Sequence, residues 1–264
     1  MSIKDILLHL DNSSACEQRI DAAIYIARQQ DALLTGLSLV TFDYYQPHYL
    51  HTDEKVAAAG AMLAAKASAA AVEARHRRIE SCVAGVGVHE LLVSAAHCSD
   101  LVIVGQESRR TGRTDGFIEH LVAGGGRPVL IIPAVGSFDA VGTHVLVAWR
   151  NGREAARALH DALPILEKAE LVTLLAVSSG EETGQDQWEA VLEHLLSHGI
   201  QARLEQQPVT SASLAESLLN RACAGGYDLL VMGAHSPGLR RGSQLGAVAG
   251  QILREMTIPV LMSH

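Results

Sequence analysis

The chain has 264 residues, of which 29 are Asp or Glu and 21 are Lys or Arg, giving a formal net charge of −8. That balance argues against a nucleic-acid platform, which needs clustered Lys and Arg to meet a phosphate backbone. The length suffices for one large domain or two of ordinary size.

The densest basic runs, Arg75–Arg78 and Arg109–Arg110, are short, carry no interleaved aromatics and read as solvated faces. Cys16, Cys82, Cys98 and Cys223 are widely spaced with no CxxC pair, so buried thiols in a reducing compartment are expected. Met1-SIKD runs directly into an apolar strand, with no basic region and cleavage site ahead of it, so no targeting peptide and a cytoplasmic location are expected. The most membrane-like segment, Val56–Glu73, is alanine-rich and interrupted by Lys66, and is less apolar than a spanning helix requires. No membrane partner is expected.

In chain order, strands are predicted near residues 3–10, 32–40, 79–84, 100–104 and 128–132, with a long alanine-rich helix over roughly 52–78. Cys98 is expected to be a small residue packed just before the fourth strand. Between the second strand and that long helix, Thr41–Thr52 (TFDYYQPHYLHT) concentrates aromatics. It reads as a covering loop, or as a lid or partner surface. Further strands are predicted near 143–149, 170–177, 201–207, 228–232 and 259–262. Helix 152–167 carries Ala156, Leu159, Leu163 and Leu166 on one face, and Pro164 is expected to kink or shorten it. After Gly246 a helix places Leu245, Val248, Ala249, Ile252, Leu253 and Met256 on one stripe facing the sheet.

The two halves match one another. Ile6–Ser14 (ILLHLDNSS) corresponds to Val145–Arg153 (VLVAWRNGR), Asp100–Gln106 (DLVIVGQ) to Asp228–Ala234 (DLLVMGA), and Arg127–Ala134 (RPVLIIPA) to Ile258–His264 (IPVLMSH). Three matched segments in one order indicate a tandem duplication, with repeats at 1–133 and 143–264 and a linker at 134–142. Strands alternating with helical segments predict an α/β fold, each repeat a doubly wound five-stranded parallel sheet of Rossmann-like type. Ligands bind such sheets outside the carboxyl ends of the strands, where strand order reverses. The turns after the first and fourth strands of each repeat are therefore the candidate sites.

At those turns the sequence resembles the universal stress protein family in its tandem two-domain form. The family's nucleotide-binding members carry G-x-x-G, nine residues and then G-[S/T] after the fourth strand, and an Asp-Gly-Ser-like turn after the first. Here Gly233-Ala234-His235-Ser236 is followed by nine residues, Pro237 to Leu245, and then Gly246-Ala247. The spacing is kept, but Ser236 and Ala247 replace a glycine and a hydroxyl residue. Such a loop offers backbone N–H groups to phosphate oxygens, with glycine allowing positive φ and close approach, ahead of a helix N-terminus. Ser236 adds a Cβ, Pro237 restricts its backbone, and Ala247 removes a donor worth about 0.5–1.5 kcal/mol. Arg240, Arg241 and Ser243 lie within the loop, either pairing with phosphate oxygens or standing in solvent.

Carried over position by position, the resemblance implies a degenerate second-half nucleotide site from Ala148, Trp149, Arg150, Val177, Met232, Gly233, His235, Ser236, Arg240, Arg241, Gly246, Ala247 and Val248. Arg150 stands where the family has its base-side Asp and cannot accept a hydrogen bond from an adenine amine. The first half retains that acid as Asp11, with Leu10, Val104, Gly105 and Ser108 beside it. Between Gly105 and the strand at Pro128 the first half is about three residues shorter, Gly116-Phe117 is the nearest counterpart of G-[S/T], and Asp115 would repel a phosphate.

The resemblance implies a stress-response regulatory or protective module, not an enzyme, with ATP or another adenine nucleotide as ligand and at most incidental ATPase activity. It also implies an intramolecular pseudo-dimer, with edge candidates Pro128–Ile132 and Pro259–Met262 pairing between the repeats, a homodimer, or an unidentified protein partner. The competing reading is an interaction scaffold that has lost nucleotide binding, for which Ser236, Ala247 and Arg150 are the signs.

Among the 13 histidines, His194 and His198 lie four apart and His48 and His51 bracket two residues, but neither pair has a third ligand at a recognisable spacing. No metal is expected. There is no G-x-S-x-G elbow, no G-x-G-x-x-G fingerprint and no Walker A lysine. The H-x-G-H and K-M-S-K-S signatures of adenylyl transfer are also missing.

Overall fold

A computed structural model describes residues 2–41, 52–81, 87–107, 116–178, 185–208, 214–234 and 245–264. It divides into two compact units, 2–139 and 140–264.

In the first unit the elements alternate: β1 (Asp5–Leu10), α1 (Cys16–Gln30), β2 (Leu33–Thr41), α2 (Thr52–Ala69), β3 (Ala74–Ser81), α3 (Val88–Ala96), β4 (Leu101–Gly105), α4 (Phe117–Gly124) and β5 (Val129–Ile132). The strands are parallel in the order β3-β2-β1-β4-β5. The second unit follows the same plan with β6 (His144–Trp149), α5 (Arg153–Leu166), β7 (Leu171–Ser178), α6 (Gln185–Ser197), β8 (Ala202–Pro208), α7 (Leu214–Ala224), β9 (Leu229–Gly233), α8 (Ala247–Glu255) and β10 (Val260–Ser263). Its order is β8-β7-β6-β9-β10, again parallel. Each unit is thus the expected doubly wound five-stranded sheet. Strand order reverses between β1 and β4, and between β6 and β9.

Central strands are apolar because helices cover both faces. Leu101, Val102, Ile103 and Val104 of β4 are fully buried, as are Leu229, Leu230 and Val231 of β9. Each such side chain is worth about 1.5–3 kcal/mol of burial. One acidic residue per unit sets the register at the opposite, N-terminal end. Asp100 Oδ2 accepts from the N–H groups of Lys4 and Asp5 at 2.8 and 3.0 Å. Asp228 accepts from Gly142, Thr143 and His144 at 2.9, 3.0 and 3.1 Å. Gly142 has φ +89°, and a Cβ there would overlap the Ile165 side chain, so both its conformation and its packing call for glycine.

Three expectations are corrected. The third strand is not at 79–84 but at Ala74–Ser81, and α2 stops at Ala69. Ala71 takes φ 55°, which ends the helix, and the chain then pairs along β2 from Ala74 beside Leu34 to Ser81 beside Thr41. As an edge strand, β3 exposes Arg75, His76, Arg77 and Arg78, so it lacks the apolar signature of a central strand. In α5 the buried face is Ala158, Leu159, Ala162, Leu163 and Leu166, while Ala156 is exposed. Pro164 is accommodated inside the last turn, where only one helical hydrogen bond is forfeited. Among the described cysteines, Cys98 and Cys223 are exposed and Cys16 is buried; before β4 it is Ser99 that is buried, its hydroxyl donating to the Ala96 carbonyl at 2.9 Å.

Along α8, Ala249, Ile252 and Met256 are buried together with Leu245, and Val248 and Leu253 are half-buried. The aromatic segment from Phe42 to His51 lies outside the described residues. Among the described residues no helix is long and apolar enough to cross a membrane, and no group of three His, Cys, Asp or Glu could hold a metal ion.

Candidate functional site

In the second unit, β6 and β9 are in register with Val147 beside Val231, which ends them together at Trp149 and Gly233. On the other side of β9, Ser263 pairs with Gly233. The carboxyl edge of this sheet therefore presents Trp149, Gly233 and Ser263 in a row. Trp149 and Ser263 are buried, and neither the indole N–H nor the hydroxyl has a hydrogen-bond partner among the described residues. Leaving such a group unpaired costs about 1–3 kcal/mol. The first unit has apolar Leu10 and Ile132 at the matching places, both buried.

Gly233 is not among the residues with positive φ. A Cβ on it would fall 2.7 Å from the carbonyl carbon of Glu154 and 2.9 Å from the Ala155 nitrogen. Its missing side chain lets the first turn of α5 close on the end of β9. Gly246 caps α8 with φ −63° and ψ 154°, a conformation open to any residue. The expectation that glycine serves positive φ at these two positions is therefore corrected: close helix packing accounts for Gly233. The Gly246 N–H donates to the Ala234 carbonyl at 3.2 Å, which ties the start of α8 to the end of β9.

The α8 N-terminus has no side-chain cap and no acidic residue in its first turn. Its first N–H groups carry the partial positive charge that favours an anion. Among the remaining second-half candidates, Met232 is buried, Ala148 and Val248 are half-buried, and Arg150 and Ala247 are exposed. Val177 lies in β7. His235, Ser236, Arg240 and Arg241 lie outside the described residues.

The first unit builds the same end of its sheet differently. β1 and β4 end at Leu10 and Gly105, and Val104 is buried; Ser108 lies outside the described residues. The α4 N-terminus receives a carboxylate from the chain itself: the Ile118 N–H donates to Glu107 Oε1 at 2.8 Å. Asp11 Oδ1 accepts from the Ser13 N–H at 3.0 Å and from its hydroxyl at 2.6 Å. It also lies 2.7 Å from Arg19 Nη2. Burial alone would raise the Asp11 carboxyl, but the Arg19 guanidinium, with His9 and the Ser13 hydroxyl, holds it well below the usual carboxylate range. His9 is buried 5.4 Å from the Phe117 ring. Burial pushes its pKa down to about 4, with Arg19 adding to and Asp11 opposing the shift.

Two of these residues escaped the sequence reading. Arg19 sits on the apolar face of α1 with Ile20, Ala23 and Ala27, and the repeat places Ala158 opposite it. A cation on an otherwise apolar stripe was the available signal. Glu107 gave none, because its partner is a backbone N–H eleven residues on.

The model of the universal stress protein family matches residues 143–264. A universal stress protein from Archaeoglobus fulgidus has a similar solved structure, at 16% identity and TM-score 0.74, covering 98% of this chain and 97% of that one. A second, described as a universal stress protein of Pseudomonas aeruginosa, is 17% identical with TM-score 0.65 and covers 99% of this chain and 93% of its own. These similarities extend across both units and concern the fold. No curated protein matches the chain.

Proposed function

We propose that the chain is a member of the universal stress protein family, whose model matches residues 143–264; both units share the α/β fold of a solved structure from that family. We propose that it is a stress-response regulatory or protective module that binds one adenine nucleotide, ATP or a relative, in the second repeat.

The observation that carries this reading is the difference between two helix N-termini. In the first repeat Glu107 already supplies a carboxylate to α4. In the second, α8 follows a loop with the spacing of a phosphate cradle, and its first turn holds neither a cap nor an acid. A phosphate group suits that terminus in charge and in hydrogen bonding. The Trp149 and Ser263 groups at the same sheet edge, without hydrogen-bond partners among the described residues, support a polar ligand there. Binding, with at most incidental turnover, is the proposed role; the loop sequence carries no Walker A lysine. Unpaired Cys16, Cys98 and Cys223 fit a reducing, cytoplasmic setting.

The second reading is a scaffold without nucleotide. It is favoured by α5 closing directly on Gly233 and by Arg150 at the base-side position. Thermal shift with ATP, ADP, AMP and adenosine separates the two. Stabilisation that grows with the phosphate chain and vanishes in Gly246→Val supports the nucleotide reading. No shift at millimolar nucleotide leaves the scaffold.

A further inference from the structure

At the carboxyl edge of the first sheet, the space above Gly105 is taken by a side chain of the same unit. Arg19 reaches there from α1 and is 1% exposed. A Cβ on Gly105 would overlap its Nη1. Its Nη2 lies against Asp11, so the guanidinium spans from the end of β1 to the end of β4, across the point where strand order reverses. Among the described residues neither Nε nor Nη2 completes a hydrogen bond of good geometry, so charge and shape, more than aligned donors there, hold the group. The Asp11 carboxylate outweighs the cost of burial and raises the guanidinium above its ordinary pKa. Buried charges persist only when paired in this way.

The repeat supplies an internal control. Position 19 corresponds to Ala158 and position 11 to Arg150. Ala158 is fully buried and Arg150 is exposed. The second unit therefore has neither the cation nor the acid, and the first has both.

We infer that the first repeat is self-liganded: Arg19 is the built-in occupant of its switch-point site, a site whose chemistry is that of a small planar cation facing a carboxylate. The residue thereby decides which repeat stays available to an outside ligand. Shape and hydration matter as well as charge, since a guanidinium is planar and weakly hydrated and suits a dry slot beside a residue without a side chain, whereas an ammonium is a compact, strongly hydrated point charge. This inference concerns the first unit and stands whether or not the second binds a nucleotide.

Chemical rescue in the full chain tests it. Arg19→Ala copies the second repeat and leaves Asp11 facing an empty space. Millimolar methylguanidinium is then expected to restore at least half of the lost melting temperature, to leave the unmodified protein unchanged, and to outperform methylammonium at equal concentration. Gly105→Ala is expected to lower the melting temperature in the unmodified chain and to cost much less in the Arg19→Ala background, where nothing meets the added methyl. If Arg19→Ala is recovered only as insoluble chain, the same two cations are compared during refolding, and a higher soluble yield with methylguanidinium supports the assignment. Equal responses to both cations, or an equal effect of Gly105→Ala in both backgrounds, would overturn it.

Discussion

The backbone N–H of Ile118 donates to Glu107 Oε1 at 2.8 Å, so α4 begins with a carboxylate from its own chain. This contact stands in for a helix cap, because Gly116 before the helix has no side chain to offer. Replacing Glu107 by Ala is expected to cost about 0.5–2 kcal/mol, measured by urea unfolding. The vacated terminus should then respond to sulfate, with a larger gain in melting temperature for the variant than for the unmodified protein. Equal gains would mean that Glu107 does not occupy an anion position.

Asp228 and Asp100 clamp the starts of β6 and of β1 through backbone N–H groups. Asp228→Ala strands three of these donors and Asp100→Ala two. Each substitution should destabilise by on the order of 1–3 kcal/mol, the first more than the second. Denaturant midpoints of the two variants check the order.

Acid should weaken the fold through His9 before it reaches Asp11. The folded pKa of His9 is about 4 against an ordinary value of 6.5, so between those values the unfolded chain binds a proton that the folded chain does not. The contribution is complete above pH 6.5 and is lost as pH falls toward 4, amounting to about 3 kcal/mol. The Asp11 carboxyl is also depressed, and its contribution is present above the ordinary carboxylate range and lost only as pH falls below it. His9→Leu should flatten the stability profile between pH 6.5 and 4 and leave the steeper loss at lower pH. Stability profiles of unchanged slope would contradict the buried neutral imidazole.

Restoring the hydroxyl at the start of α8 should strengthen the proposed phosphate contact. Ala247 is exposed at the first helical position, so Ala247→Ser adds a donor without disturbing the core. An affinity gain of up to roughly tenfold is expected, read by calorimetry with ATP. A gain equally large with adenosine would place the new contact away from the phosphates.

The sequence carried the fold well wherever burial wrote it plainly. Leu101–Val104 and Leu229–Met232 could only be central strands, and the matched Asp100 and Asp228 announced the repeat. β3 was obscured because an edge strand buries little, and its ArgHisArgArg run looks like a solvated helix end; the left-handed Ala71 that closes α2 has no compositional mark. At the candidate site, the loop spacing and the Asp11-to-Arg150 exchange were legible, because they depend on local order. The Arg19–Asp11 pair and the Glu107 contact were not, since both join residues that only the folded sheet brings together.

The central claim is that one repeat is open to a nucleotide and the other is filled. Calorimetric titration of the full chain with ATP counts the sites directly. The account predicts one ATP per chain, binding abolished by Gly246→Val, whose backbone at φ −63° and ψ 154° accepts valine without strain, and affinity unchanged by Asp11→Ala. Two sites per chain, or a single site lost with Asp11→Ala and kept in Gly246→Val, would contradict it.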